Sequence, residues 1–93
     1  MVGRIVLPYK QRELIAALLA ADGEEVTLRV RWRRLTEAVE GRLDARDVAN
    51  GHVRMVGAIT SVNGPVPDRS GVLRITIRDI RWLTIGDDRL GPF

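Results

Sequence analysis

A mainly β fold, with an N-terminal α-helix followed by a small, strongly bent antiparallel barrel of five strands, is predicted by three features of this 93-residue sequence. Between Val26 and Ile85, apolar residues alternate with polar ones in short runs, the period of two that a half-buried strand imposes. Gly41 and Gly57 fall inside two of these runs, where a strand turning a barrel corner needs a bend or a close backbone approach. Ahead of the runs, Leu14, Ile15, Leu18 and Leu19 recur at helical spacing. A chain of this length has room for one core, so a single domain spans 1–93: helix about 9–21, barrel about 26–85, polar tail 86–93.

Residues 3–7 form an apolar lead-in, and Pro8 suits the first turn of a helix, where its missing N–H is not needed. The leucine face between Tyr9 and Ala21 must pack on the sheet, because a helix this short is marginal alone. Asp22-Gly23 ends it. The first strand, Val26 to Arg33, directs Val26, Leu28, Val30 and Trp32 to the core, and Thr27, Arg29, Arg31 and Arg33 outward. Like charges at every second position repel. Either acids face the row, with Glu37, Glu40 and Asp44 at hand, or it meets an anionic partner.

A second strand, about Ala38 to Ala45, turns Val39, Gly41 and Leu43 inward. The turn at 46–51 contains Asp47, Asn50 and Gly51, residues that bond locally or tolerate a left-handed backbone. The third strand, His52 to Val62, places Val53, Met55, Gly57 and Ile59 on one face. Residues 63–71 are a Gly, Pro, Asp and Ser loop without periodicity. In the last segment, Leu73, Ile75 and Ile77 share a face before the apolar set shifts to Ile80 and Trp82. That shift predicts a tight turn or bulge at Arg78-Asp79 dividing two strands. The tail from Gly86 to Phe93 is expected to be loosely ordered.

The composition narrows the function classes. The absence of cysteine rules out disulfides and thiolate metal sites, which fits a reducing compartment, and the charged N-terminal segment reads neither as a signal peptide nor as a membrane span. The expected location is the cytoplasm, with no membrane partner. Fourteen of the fifteen basic residues are arginine, whose planar fork suits phosphate and stacks on bases. A GC-rich genome yields the same excess, so position rather than number must carry any nucleic-acid argument.

The inventory for enzyme chemistry is poor: one histidine, His52, and only Ser61 and Ser70 as serines. No base is tied to a nucleophile by spacing, and no ligand set for a metal is present. A non-enzymatic module without cofactors is expected. Trp82, flanked by Arg81, reads as core, as an assembly surface or as a stacking platform for a base.

The run Gly41-x-Leu43-x-x-x-Asp47-x-x-Asn50-x-x-Val53-x-Met55 resembles the first motif of the Sm-like fold (LSm and Hfq-type barrels, an SH3-like architecture). Ile75-Thr76-Ile77-Arg78-Asp79-Ile80 stands where the second motif has its hydrophobic-Arg-Gly step, with Asp79 in place of the glycine. The interval from Asp47 to Asn50 is one residue shorter than in most Sm proteins and is similar to that of YolD-like proteins, a bacterial Sm-like group. Arg74-Ile75-Thr76-Ile77-Arg78-Asp79-Ile80 and Gly3-Arg4-Ile5 with Leu7-Pro8 resemble that group as well. The Sm resemblance implies a nucleobase pocket at Asn50 and Arg78. The YolD resemblance implies a protein adaptor.

Two functional expectations follow. The first is a module for single-stranded RNA or DNA, with Arg29, Arg31, Arg33, Asp47, Asn50, His52 and Arg78 as contacts. The second is a protein-interaction adaptor or regulatory subunit docking through free strand edges around Trp82 and Arg81. In either case a homo-oligomer is anticipated.

Overall fold

A computed structural model describes residues 9–93, so the lead-in at 3–7 and the place of Pro8 lie outside the described residues. Helix α1 spans Tyr9–Ala20, followed by strands β1 (Glu25–Trp32), β2 (Leu35–Asp44), β3 (His52–Thr60), β4 (Val72–Thr76), β5 (Ile80–Ile85) and β6 (Asp88–Leu90). Two 3-10 turns interrupt the series, Val48–Asn50 before β3 and Ile77–Asp79 between β4 and β5. All pairings are antiparallel, and the sheet order is β4-β3-β2-β1-β5-β6.

The fold is therefore mainly β with an N-terminal helix, but it is a six-stranded sheet with two separate ends rather than a closed five-stranded barrel. The extra strand comes from the tail. After a two-residue turn at Gly86-Asp87, Asp88, Arg89 and Leu90 pair with Ile85, Thr84 and Leu83. The Phe93 N–H then donates to the Arg81 carbonyl at 2.8 Å, and Phe93 packs against the core. The tail carries no alternating pattern of its own. It is ordered by the unpaired backbone groups of β5, which sequence periodicity does not register.

The core follows the predicted alternation for most of its length. Val26, Leu28 and Val30 from β1, Val39 and Leu43 from β2, Val53 and Met55 from β3, Leu73 and Ile75 from β4, and Ile80 and Leu83 from β5 are buried with Leu14 and Leu18 of α1. Each such side chain contributes roughly 1.5–3 kcal/mol of burial. The helix itself is therefore held by its leucines rather than by propensity. Leu19, assigned to the same face, is 55% exposed. Gly41 lies where β2 crosses closest to β3: a Cβ there would stand 2.9 Å from the Val56 carbonyl oxygen, so no larger residue fits without moving a strand.

The alternation breaks in two places, each at a bulge. The register between β2 and β3 shifts between Glu40 and Arg42, and beyond it the faces of β3 exchange, leaving Gly57 exposed and Ile59 66% exposed rather than inward. A one-residue slip moves every later side chain to the opposite face. A second shift lies opposite Arg29 and Val30, so that Arg29 pairs with Trp82 and Val30 with Ile80. Arg81 is the additional residue, which turns Trp82 away from the core.

The β1–β2 connection is tighter than the sequence suggests. Strand β2 begins at Leu35, not Ala38, and only Arg33 and Arg34 form the turn, with φ of 48° and 70°. Positive φ at both central residues is the signature of a type I′ hairpin, usually built from Asn-Gly. A left-handed backbone costs roughly 1–2 kcal/mol for a residue with a Cβ. Nothing in an Arg-Arg pair announces such a turn.

Trp32, expected in the core, is only partly buried, yet its indole N–H is shielded from solvent without an acceptor. An orphaned donor costs about 1–3 kcal/mol. Trp32→Phe is accordingly expected to leave unfolding free energy unchanged or higher in a urea titration. A loss above about 2 kcal/mol would mean that the indole packing outweighs its unpaired N–H.

Candidate functional site

Two turns meet where β3 leaves β2 and β4 passes into β5. In the first, the Asn50 N–H donates to the Asp47 carbonyl at 2.9 Å and the Gly51 N–H to the Val48 carbonyl at 3.0 Å. In the second, the 3-10 turn Ile77–Asp79 buries Ile77 and exposes Arg78. The Arg81 guanidinium reaches back to the Arg78 carbonyl at 2.6 Å. The turns are tied together directly, because the Ile77 N–H donates to the Gly51 carbonyl at 3.0 Å.

Between them lies a cavity of about 400 Å³ whose polar lining is Gln11, Asn50, His52, Arg74, Thr76 and Arg78. No carboxylate is part of that lining. The nearest acids sit behind it. Asp47 places its Oδ2 3.5 Å from His52 Nε2, an ion pair only when the imidazole is protonated. Asp79 follows Arg78 on the turn. The cavity thus presents two guanidinium groups, two amides that both donate and accept, a hydroxyl and an imidazole around a floor of Ile15, Val48 and Ile77. Anionic and planar hydrogen-bonding ligands suit such a set.

Of the residues singled out in the sequence, Asn50, His52 and Arg78 line this one cavity, and Asp47 stands behind His52. Gln11, Arg74 and Thr76 were missed. Arg74 and Thr76 were legible as the outward residues between Leu73, Ile75 and Ile77, whereas Gln11 carries no signal. A second, apolar cavity of about 280 Å³ adjoins the first through Gln11, Ile77 and Arg78 and is closed by Leu14, Ile80, Arg81 and Phe93.

The arginine row stands apart from the cavity, on the outward side of β1. Arg29 faces Ala38 and Trp82, and Arg31 faces Thr36. The acids available to balance the row are occupied elsewhere or face other residues. Glu37 accepts a hydrogen bond from Ser61, Glu40 pairs with Thr27 and Ile59, and Asp44 binds Arg46 and Arg54. The Arg46 N–H, first among several causes, holds the Asp44 carboxyl below the usual carboxylate range. Among the described residues, which include every acid of the chain, none pairs with Arg29, Arg31, Arg33 or Arg34. The salt-bridged face that nearby acids suggested does not form.

Trp82 lies on the same outward side beside Arg29, but its ring is already occupied. The Arg89 guanidinium stacks 4.0 Å from the ring centroid, and the Gly91 backbone lies against its edge. Arg81 is turned to the Ile77–Asp79 turn. Among the described residues no group of three or more potential metal ligands occurs, and no helix is long and apolar enough to cross a membrane. No protein-family model, curated protein or solved structure matches the chain.

Proposed function

We propose that the protein is a non-enzymatic, Sm-like module that binds single-stranded nucleic acid in the cavity between the turns at 47–51 and 77–79. The observation that carries this reading is the convergence of Asn50, His52, Arg74 and Arg78 on one cavity whose lining has no carboxylate. The order of elements, a helix followed by bent strands with β4 and β5 joined by one 3-10 turn, supports the Sm-like assignment.

The chemistry follows from the lining. Arg74 and Arg78 neutralise phosphate oxygens, while the Asn50 amide, Thr76 hydroxyl and His52 imidazole address the edge of a base. A base must leave its stack to enter a cavity of this kind, which favours a single strand over a duplex. Phosphate contacts position the strand and base contacts select it.

The test is fluorescence anisotropy with labelled single-stranded RNA and DNA over a series of salt concentrations. Two neutralised phosphates give a slope of log affinity against log salt of about −1.4, and each further contact steepens it by about 0.7. Flat salt dependence, or no binding at low salt, would overturn the reading.

A protein adaptor is the second reading. It is favoured by Leu35, Ile59, Val62 and Val66, four large apolar side chains left exposed on the β1–β2 hairpin, β3 and the β3–β4 loop. Polar replacement of Ile59 and Val66 would then abolish capture of a partner without altering oligonucleotide binding.

A further inference from the structure

The end of the β1–β2 hairpin leaves the sheet. Strand β1 pairs with β5 only as far as Val30, and β2 pairs with β3 only from Val39 onward. Residues 31–38 therefore form a two-stranded ribbon with no third strand beside it, and its tip is Arg33-Arg34. Both tip residues are exposed, both hold a positive φ, and neither has an ion-pair partner among the described residues. Non-glycine residues in sparsely populated backbone regions cluster where a site requires them. Asn-Gly would form the same turn at lower cost.

The ribbon lies beside one of the two turns that flank the cavity, although no residue of β1 lines the cavity itself. Because Ile80 pairs with Val30 in an antiparallel register, the residues just before Ile80 run alongside the end of β1, and the turn carrying Arg78 packs there. Arg31 and the Arg33-Arg34 tip thus extend past that turn over roughly 7 Å of strand, while Arg29, opposite Trp82, lies on its other side. No carboxylate faces Arg29 or Arg31 across the strands.

We propose that the Arg33-Arg34 tip is a second phosphate-binding point for the strand held in the cavity, so that a bound nucleic acid follows β1 from the Arg78 turn to the end of the ribbon. This rests on the nucleic-acid reading and deepens it. The ligand is a strand of several nucleotides, not a mononucleotide, and the strained turn is kept for the two guanidinium groups it projects.

The test replaces the tip by Arg33→Asn with Arg34→Gly, which relieves the backbone, and separately by Arg33→Gln with Arg34→Gln, which keeps side-chain length. Each is compared with wild type and with Asn50→Ala on oligonucleotides of about 3 and about 20 nucleotides. Both tip variants should lose about tenfold in affinity for the long oligonucleotide and about 1.4 in salt slope, yet keep the short one unchanged. The Asn-Gly variant should also melt at a higher temperature than wild type. Unchanged affinity and slope with the long oligonucleotide would overturn the proposal, as would equal losses with both lengths. If Asn50→Ala binds normally while the tip variants fail, the cavity reading falls and the tip remains. Absence of any wild-type binding overturns both.

Discussion

Reversing charge at Arg74 and Arg78 together, each to glutamate, is expected to abolish single-stranded oligonucleotide binding while raising the melting temperature slightly. Both side chains are exposed and line the cavity, and neither has an ion-pair partner among the described residues. A hydrogen bond to a charged group is worth about 1.5–3 kcal/mol. Losing two of them weakens binding at least about a hundredfold, before repulsion between the new carboxylates and phosphate is counted. Stability moves the other way. Arg74 sits directly opposite Arg54 in the β3–β4 ladder, a like-charge pair that Arg74→Glu makes attractive, for a gain of roughly 0.2–1 kcal/mol. That corresponds to a few degrees for a domain of this size. Anisotropy and calorimetry on the same preparation separate the two effects. Binding that survives the double reversal would place the nucleic acid elsewhere on the molecule.

Why this site was partly legible follows from the residues themselves. Asn50, His52 and Arg78 were visible because turns advertise themselves chemically: Asp47, Asn50 and Gly51 are residue types that favour turns or tolerate a left-handed backbone, and the shift of apolar phase across Arg78-Asp79 marks a break between strands. The strand cores were equally visible wherever alternation ran unbroken, as in Val26-Leu28-Val30 and Leu73-Ile75-Ile77. Two kinds of feature were hidden. Bulges leave no local signature, so Ile59 and Trp82 could not be assigned to a face until the register of their partners was known. Features set by the requirements of another strand were hidden as well. Arg33-Arg34 adopts a turn that its own propensities oppose, and residues 88–93 become ordered because β5 offers unpaired backbone groups. The acid balance of the arginine row was likewise a question of register: Glu37 and Asp44 are near in sequence, but their oxygens are committed to Ser61, Arg46 and Arg54.

The tail has the larger consequence for assembly. A sheet of this kind associates through its edges, and free edges are templates for another strand. Here β6 and the Phe93 N–H engage the outer side of β5. At the opposite end, both backbone groups of Val72 are taken by Asp68. Its carboxylate accepts the Val72 N–H at 3.0 Å, and its own N–H donates to the Val72 carbonyl at 2.9 Å. Hydrogen bonds from the Ser70 hydroxyl first, and then from the Val72 N–H, hold the Asp68 carboxyl below the usual carboxylate range. Arg74 adds a charge to the same edge. The wild-type chain is therefore expected to scatter light as a single chain, in place of the oligomer anticipated from the sequence. Gly91→Val should reverse this. Gly91 has a φ of 137°, and a Cβ there would lie 2.6 Å from the Arg81 carbonyl oxygen and 2.8 Å from Trp82 Cε3, so a branched side chain lifts the tail from β5. Loss of the three-residue ladder, of the Arg89–Trp82 stack and of the Phe93 contact should cost about 2 kcal/mol. It also exposes β5 from Arg81 to Ile85, so that mass should rise with concentration. A wild-type protein already assembled at low concentration would show that the tail does not guard this edge. A Gly91→Val protein that stays monomeric would show that β5 lacks a complement on a second copy.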